Sequence, residues 1–108
     1  MKTYVGERAG DGSVRLFVTS GDTRRPLGDE PASTSEALDY GYDGAGPANL
    51  ARVILTDHFR RSPKWWLYRA FQQQFIAAFD HEESWTISEL EIAAWYIAVK
   101  IPGDAEQR

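Results

Sequence analysis

Val14, Leu16 and Val18 alternate with Arg15, Phe17 and Thr19, a period of two that predicts a half-buried strand. Ala9-Gly10-Asp11-Gly12-Ser13 before it and Ser20-Gly21-Asp22 after it are turn sequences. The segment therefore predicts a three-stranded antiparallel meander over about 3–8, 13–19 and 23–28. Pro26 assigns the third strand to an edge, because proline cannot donate to a ladder. Arg24, Arg25 and that proline also discourage further edge pairing.

From Pro47 onward the hydrophobic period lengthens to that of a helix. Gly46-Pro47 predicts a helix start with proline at the first helical position. This helix runs to about Arg61, with Leu50, Ala51, Ile54, Leu55 and His58 on one side and Asn49, Arg52, Thr56 and Arg60 on the other. Ser62-Pro63 predicts an N-cap and first residue for a second helix that runs to about Phe79. Leu67, Phe71, Phe75, Ala78 and Phe79 form its stripe. So tight a break implies an antiparallel or strongly crossed pair. Ser88 and Glu91 form a capping box for a third helix, which Pro102-Gly103 ends. Residues 104–108 are expected to fray.

The third helix carries two apolar stripes: Ile92, Trp95, Tyr96 and Val99, and Leu90, Ala94, Ile97, Ala98 and Ile101. Such a helix is either central in the fold or shared with a partner, and complete burial is hard in a small domain. Between sheet and helices, residues 29–46 form a Gly- and acid-rich connection, too long to be passive in so small a domain. Within it Leu38, Tyr40 and Tyr42 alternate as if against the core. The expectation is an α+β single domain over 1–108: a meander at 1–28, the connection at 29–46, and three helices at 47–101 packed on one sheet face, with a tail at 102–108.

Tyr4-Val5-Gly6-Glu7-Arg8 and Tyr40-Gly41-Tyr42-Asp43-Gly44-Ala45-Gly46-Pro47-Ala48-Asn49-Leu50-Ala51 resemble an uncharacterised bacterial and phage family, the domain of unknown function 6166. Its signature reads Trp-Gly-Tyr-x-Gly-Ser-Gly-Pro-Ala-Gln-Leu-Ala. Tyr68-x-x-Phe71 and Trp85-Thr86-Ile87-x-x-x-Glu91-Ile92-x-x-Trp95 continue the match over most of the chain. Tyr40 stands in place of tryptophan, Ala45 of serine and Asn49 of glutamine. The resemblance implies the layout and a bacterial or mobile-element origin, and it carries no activity.

Composition narrows the function. The chain has 108 residues, enough for one domain. It has no cysteine, which removes disulfide, zinc-ribbon and thiol chemistry. No apolar run is long enough to cross a bilayer, and the first residues contain no secretory h-region, so a cytoplasmic protein without a membrane partner is expected. A net charge of −4 argues against direct nucleic-acid binding through a broad basic face. The charges are segregated. Asp29 to Asp43 and Asp80 to Glu91 contain five acids each and no base, whereas Arg60, Arg61 and Lys64 form a basic corner.

Three constellations remain. The loop Gly41-x-x-Gly44-x-Gly46 enters a helix as phosphate cradles do. However, Pro47 removes a donor, Asp43 repels anions and no Lys-Ser/Thr pair follows. Gly41, Gly44, Gly46 and Pro47 therefore read as a structural joint, with positive φ or close helix contact expected at Gly44 or Gly46. His58 and His81 lie about a helix length, roughly 25 Å, apart, so no metal, cofactor or catalytic set is assigned. In Trp65-Trp66, adjacent indoles point about 100° apart. Beside arginines and a lysine, such rings stack on nucleobases, anchor protein interfaces, or pack in the core with cation–π contacts to Arg69 or Lys64.

The leading expectation is a non-enzymatic protein-interaction module. Its candidate contacts are Tyr40, Tyr42, Asp43, Trp65, Trp66, Asp80, Glu82, Glu83, Leu90, Ile97 and Ile101. Its partner would be another protein, including a second copy joined through the third helix. The alternatives are a phage-type, anti-CRISPR-like inhibitor whose acids imitate nucleic-acid phosphates, and an enzyme of unknown reaction at the Asp43/Asp80/His81 end.

Overall fold

The structure is a computed structural model that describes residues 1–27 and 38–106, with side chains described as far as Val99. The strands are β1 (Lys2–Arg8), β2 (Val14–Ser20), β3 (Thr23–Leu27) and β4 (Trp85–Ser88). The helices are α1 (Ala45–Phe59), α2 (Trp65–Phe71), which continues into a π-helical turn over Gln72–Ile76, and α3 (Glu89–Glu106). The strands form one antiparallel sheet in the order β3-β2-β1-β4, with the proline-bearing β3 at an edge as Pro26 requires.

The register places one apolar face toward the helices. Tyr4 pairs with Val18 and Ile87, Gly6 with Leu16 and Trp85, and Leu16 with Leu27. Because side chains alternate along each strand, these residues share a face and all are buried. From α1 they are covered by Leu50, Ala51, Ile54 and Leu55, and from the later elements by Phe71, Ile76 and Ile92. Trp95 meets Phe71 edge-on at 5.1 Å, and Tyr96 meets Phe59 at 4.8 Å, so α3 is pinned to α1 and α2 by aromatic contacts. On the outer face Arg24 lies 3.9 Å over the Phe17 ring and pairs with Glu7 at 3.1 Å, covering a ring the edge would otherwise expose.

The meander is joined by a fourth strand that periodicity did not indicate. β4 has only four residues, Trp85 and Ile87 inward and Thr86 outward. It exists because β1 offers it an open edge, a tertiary fact. Ser88 ends this strand and also begins α3. Its hydroxyl accepts from the Glu91 amide at 3.1 Å while the Glu91 carboxylate accepts from the Ser88 amide at 3.0 Å, the expected capping box.

Several boundaries shift. α1 begins at Ala45, with Gly44 as its cap, so Pro47 is the third helical residue rather than the first. The first four amides of a helix have no internal partner, so proline is tolerated there too. α2 begins at Trp65 rather than Pro63, because Lys64 keeps an extended backbone, ψ 150°, and serves as the cap in place of Ser62. α3 continues through Pro102 to Glu106. A proline past the first turn removes one i→i−4 bond and kinks a helix as readily as it ends it. The acids of 29–36 and the side chain of Ile101 lie outside the described residues.

A buried carboxylate ties the first strand to α1. Asp57 accepts from the Tyr4 hydroxyl at 2.7 Å, Lys2 Nζ at 3.2 Å and Arg25 at 2.9 Å, with 7% of its side chain exposed. The Lys2 amide donates to Glu89 at the start of α3.

The closest approach in the sheet is at Gly6. A Cβ built there would collide with the Trp85 indole, which lies across the glycine from the paired strand. Gly6→Ala is expected to destabilise the domain by about 1–3 kcal/mol, the usual range for overpacking a filled core. A denaturant melt checks this, and an unchanged midpoint would show that the indole has room to move.

Candidate functional site

One cation anchors the start of the segment from Leu38 to Gly44, at Asp39 and Tyr40. Arg8, the last residue of β1, donates through Nε to the His81 carbonyl at 2.7 Å and through Nη1 to the Gly12 carbonyl at 2.8 Å. Its Nη2 pairs with Asp39 Oδ1 at 2.8 Å, and the guanidinium lies 4.7 Å over the Tyr40 ring. A planar fork of five donors suits this multiple role, which lysine cannot reproduce. Tyr40 is fully buried, edge-on to Trp85 at 5.8 Å and to Phe79 at 6.3 Å, while Phe79 and Trp85 stack at 4.7 Å. His81 Nδ1 lies 2.9 Å from the Tyr40 carbonyl and 3.3 Å from Arg8 Nη2, so the ring closes the same cluster.

The glycines form a joint, with the roles redistributed. Gly41 takes the positive φ, +91°, and a Cβ there would meet the His81 backbone at 2.6 Å. Its amide donates to the Ile76 carbonyl at 2.9 Å. Gly44 is extended, φ −171°, and a Cβ there would lie 2.7 Å from the Tyr42 ring. Gly46 sits in the first turn of α1 without positive φ. The unusual backbone falls at Gly41 because the joint packs on the 80–84 loop, a contact no local pattern encodes.

An anion cradle at α1 is disfavoured by geometry as well. The Asp43 carboxylate stands at the helix start and accepts from Gln72 Nε2 at 2.6 Å, and the same amide donates to the Gly44 carbonyl at 3.2 Å. Gln72 is a buried polar residue at the first position of the π turn. Tyr42, 44% exposed, donates to Asp39 at 3.1 Å. Asp80 caps the Glu82 amide at 2.9 Å, and Asp80, Glu82 and Glu83 are exposed. Asp43 and His81 thus do share one end of the molecule, but among the described residues no three His, Asp or Glu side chains converge as metal ligands.

Two other surfaces take the remaining candidates. Trp66 packs against the core, whereas Trp65 is 68% exposed and, among the described residues, has no ring or cation–π partner. On α3 the two stripes separate cleanly. Ile92 is buried and Trp95, Tyr96 and Val99 pack on the core, while Leu90 and Ile97 are 60% and 59% exposed and Ala94 and Ala98 are exposed beside them. A shallow groove lined by Phe75, Glu91, Ala94, Trp95 and Ala98 borders that outward face. No helix among the described residues is long and apolar enough to cross a membrane.

Arg8, Asp39, Asp57 and Gln72 were not singled out from sequence. Arg8 meets partners 31 and 73 positions away, and its only sequence signal is its place within the Tyr4–Arg8 motif.

Burial opposes ionisation of both Asp39 and Asp57, but the bonds they accept outweigh it. Arg8, the Tyr40 amide and Tyr42 hold the Asp39 carboxyl below the usual range, and Tyr4, Arg25 and Lys2 do the same for Asp57. Depressed carboxyls bind protons less readily folded than unfolded. Their contribution is complete above the ordinary pKa of about 4 and is lost as pH falls through the folded values. Asp57→Asn is expected to melt lower at neutral pH and to lose less on acidification between about pH 4 and pH 2. Parallel melting curves for parent and variant would place the acid sensitivity elsewhere.

No curated protein and no solved structure matches the chain. The match to a family is broad: residues 4–98 fit one family model, which takes in the Arg8 clamp, the glycine joint, β4 and the outward stripe of α3 as far as Ala98. The chain therefore belongs to the family of unknown function DUF6166.

Proposed function

We propose that the protein is a non-enzymatic interaction module whose binding element is the outward face of α3, and that its simplest partner is a second copy. The observation that carries this reading is the exposure of Leu90 and Ile97 on one line with Ala94. The steps of four and three residues between them are those of a helix-pairing seam. Ile101 continues the spacing in the sequence.

In an antiparallel pair with its two-fold axis midway between Trp95 and Tyr96, Ala94 of one copy stands opposite Ile97 of the other. Large thus meets small in both central layers. Such self-complementarity is what a two-fold interface requires. Covering the exposed parts of Leu90 and Ile97 in both copies is worth roughly 1–2 kcal/mol per side chain. The sum, on the order of 4–8 kcal/mol, offsets only the lower part of the estimated 4–15 kcal/mol cost of association. At the favourable ends of these ranges the net is about 4 kcal/mol, a weak dimer with a dissociation constant of about 1 mM.

A second reading, an acidic inhibitor of a nucleic-acid-handling protein, draws on the exposed Asp43, Asp80, Glu82 and Glu83 at the joint end. It needs those acids rather than α3. Neutralising Asp80, Glu82 and Glu83 while keeping α3 intact abolishes target binding under that reading and leaves it unchanged under the first.

Sedimentation over a range of concentrations tests the seam. The parent is expected to shift from monomer toward dimer as concentration rises. Ile97→Glu places a charge at the seam on an already exposed position, so it is expected to remain folded, with an unchanged melt, and monomeric. A parent that stays monomeric at about 1 mM, or a dimer that survives Ile97→Glu, contradicts the proposal.

A further inference from the structure

The corner between α1 and α2 carries charge and an aromatic ring that the fold does not use. Arg60, Arg61, Lys64 and Arg69 are all exposed, and among the described residues none has an ion-pair or hydrogen-bonded side-chain partner. Trp65 lies among them, 68% exposed. Arg69 is four residues on from Trp65 and so shares its helix face. A second, independent oddity is the backbone of Arg60. It ends α1 in the left-handed region, φ 61°, where its amide donates to the Thr56 carbonyl at 2.8 Å. Glycine suits that position far better, so an arginine there retains its side chain at a conformational cost.

We propose that this corner binds single-stranded nucleic acid, its cations on the phosphates and the Trp65 indole stacked on a base. Four unpaired cations select a polyanion, and a flat, exposed indole stacks on planar groups, which every nucleotide of a single strand supplies. An acidic peptide would use the charges and engage the ring only where it also carries an apolar side chain. A duplex keeps its bases stacked on one another and offers none to the ring.

The net charge of −4 does not oppose this, because it is the sum of two separated ends. Asp43 precedes α1 and Arg60 follows it. That helix has 15 residues, about 22 Å at 1.5 Å per residue. At physiological ionic strength the Debye length is about 8 Å, so the acids of the joint end are screened from the corner. Asp57, the nearby acid on α1, is already paired with Lys2 and Arg25.

The test is fluorescence anisotropy of a labelled oligo-dT of about twelve nucleotides against the intact chain. Saturable binding is expected, with log K falling against log salt at a slope of about −3, as four phosphate contacts give at about 0.7 each. Arg61→Glu with Lys64→Glu is expected to weaken binding at least tenfold. Trp65→Ala is expected to weaken it severalfold with the salt slope unchanged. Arg60→Gly relieves the left-handed strain and removes a cation, so it is expected to melt higher yet bind more weakly, a combination misfolding cannot produce. Absence of saturable binding, an unchanged affinity in Trp65→Ala or Arg60→Gly, or equal competition by poly-glutamate of the same charge would overturn the proposal, the last by assigning the corner to acidic proteins.

Discussion

The guanidinium of Arg8 is where three separate stretches of chain are joined. It sits at the end of β1 and reaches the β1–β2 turn at Gly12, the carboxylate of Asp39, the carbonyl of His81 and the face of Tyr40. None of those partners belongs to a helix or strand. The sheet and helices supply the bulk of the buried apolar area, but the route of the chain between them depends on this one side chain. Two residues earlier, Gly6 lets the Trp85 indole cross β1, and that indole supports Tyr40 and Phe79 from beneath. Clamp and stack together explain why Gly41 adopts a left-handed backbone against His81. The strand, the joint and the 80–84 loop form a single packed unit, and α1 begins from its edge.

Placing the joint in the interior decides which surfaces are available to other molecules. Tyr40 and Gly41 are consumed by packing, and Asp39 by its pair with Arg8. Beside the exposed acids of the joint end, two surfaces carry the proposals: the apolar line on α3 and, elsewhere, the basic corner with Trp65. The two differ in chemistry, apolar in one case and cationic with an aromatic ring in the other. Their proposed ligands differ accordingly, and either can be disabled without touching the clamp.

Features set by neighbours in sequence were legible. The alternation in β2, the edge role of Pro26, the capping box of Ser88 and Glu91, and the division of α3 into inward and outward stripes each follow from residues within a few positions of one another. Features set by distant contacts were not. β4 is too short to show a period and exists through pairing with β1. Positive φ fell to Gly41 rather than Gly44 or Gly46 because the His81 backbone lies against it. Trp65 and Trp66 could be predicted to point apart, but which of them faced solvent depended on how α2 crosses α1. Arg8 and Asp57 look like ordinary surface charges until the sheet and helices assemble around them.

Native-state hydrogen exchange at the Gly41 amide tests the clamp most directly. That amide donates to the Ile76 carbonyl and lies at the centre of the unit Arg8 secures. If the joint is integral to the fold, Gly41 exchanges only through global unfolding, with the same free energy and denaturant dependence as the β1 amides paired to β2. Exchange at a much lower free energy, insensitive to denaturant, would show the loop opening by itself and would contradict the role given to Arg8.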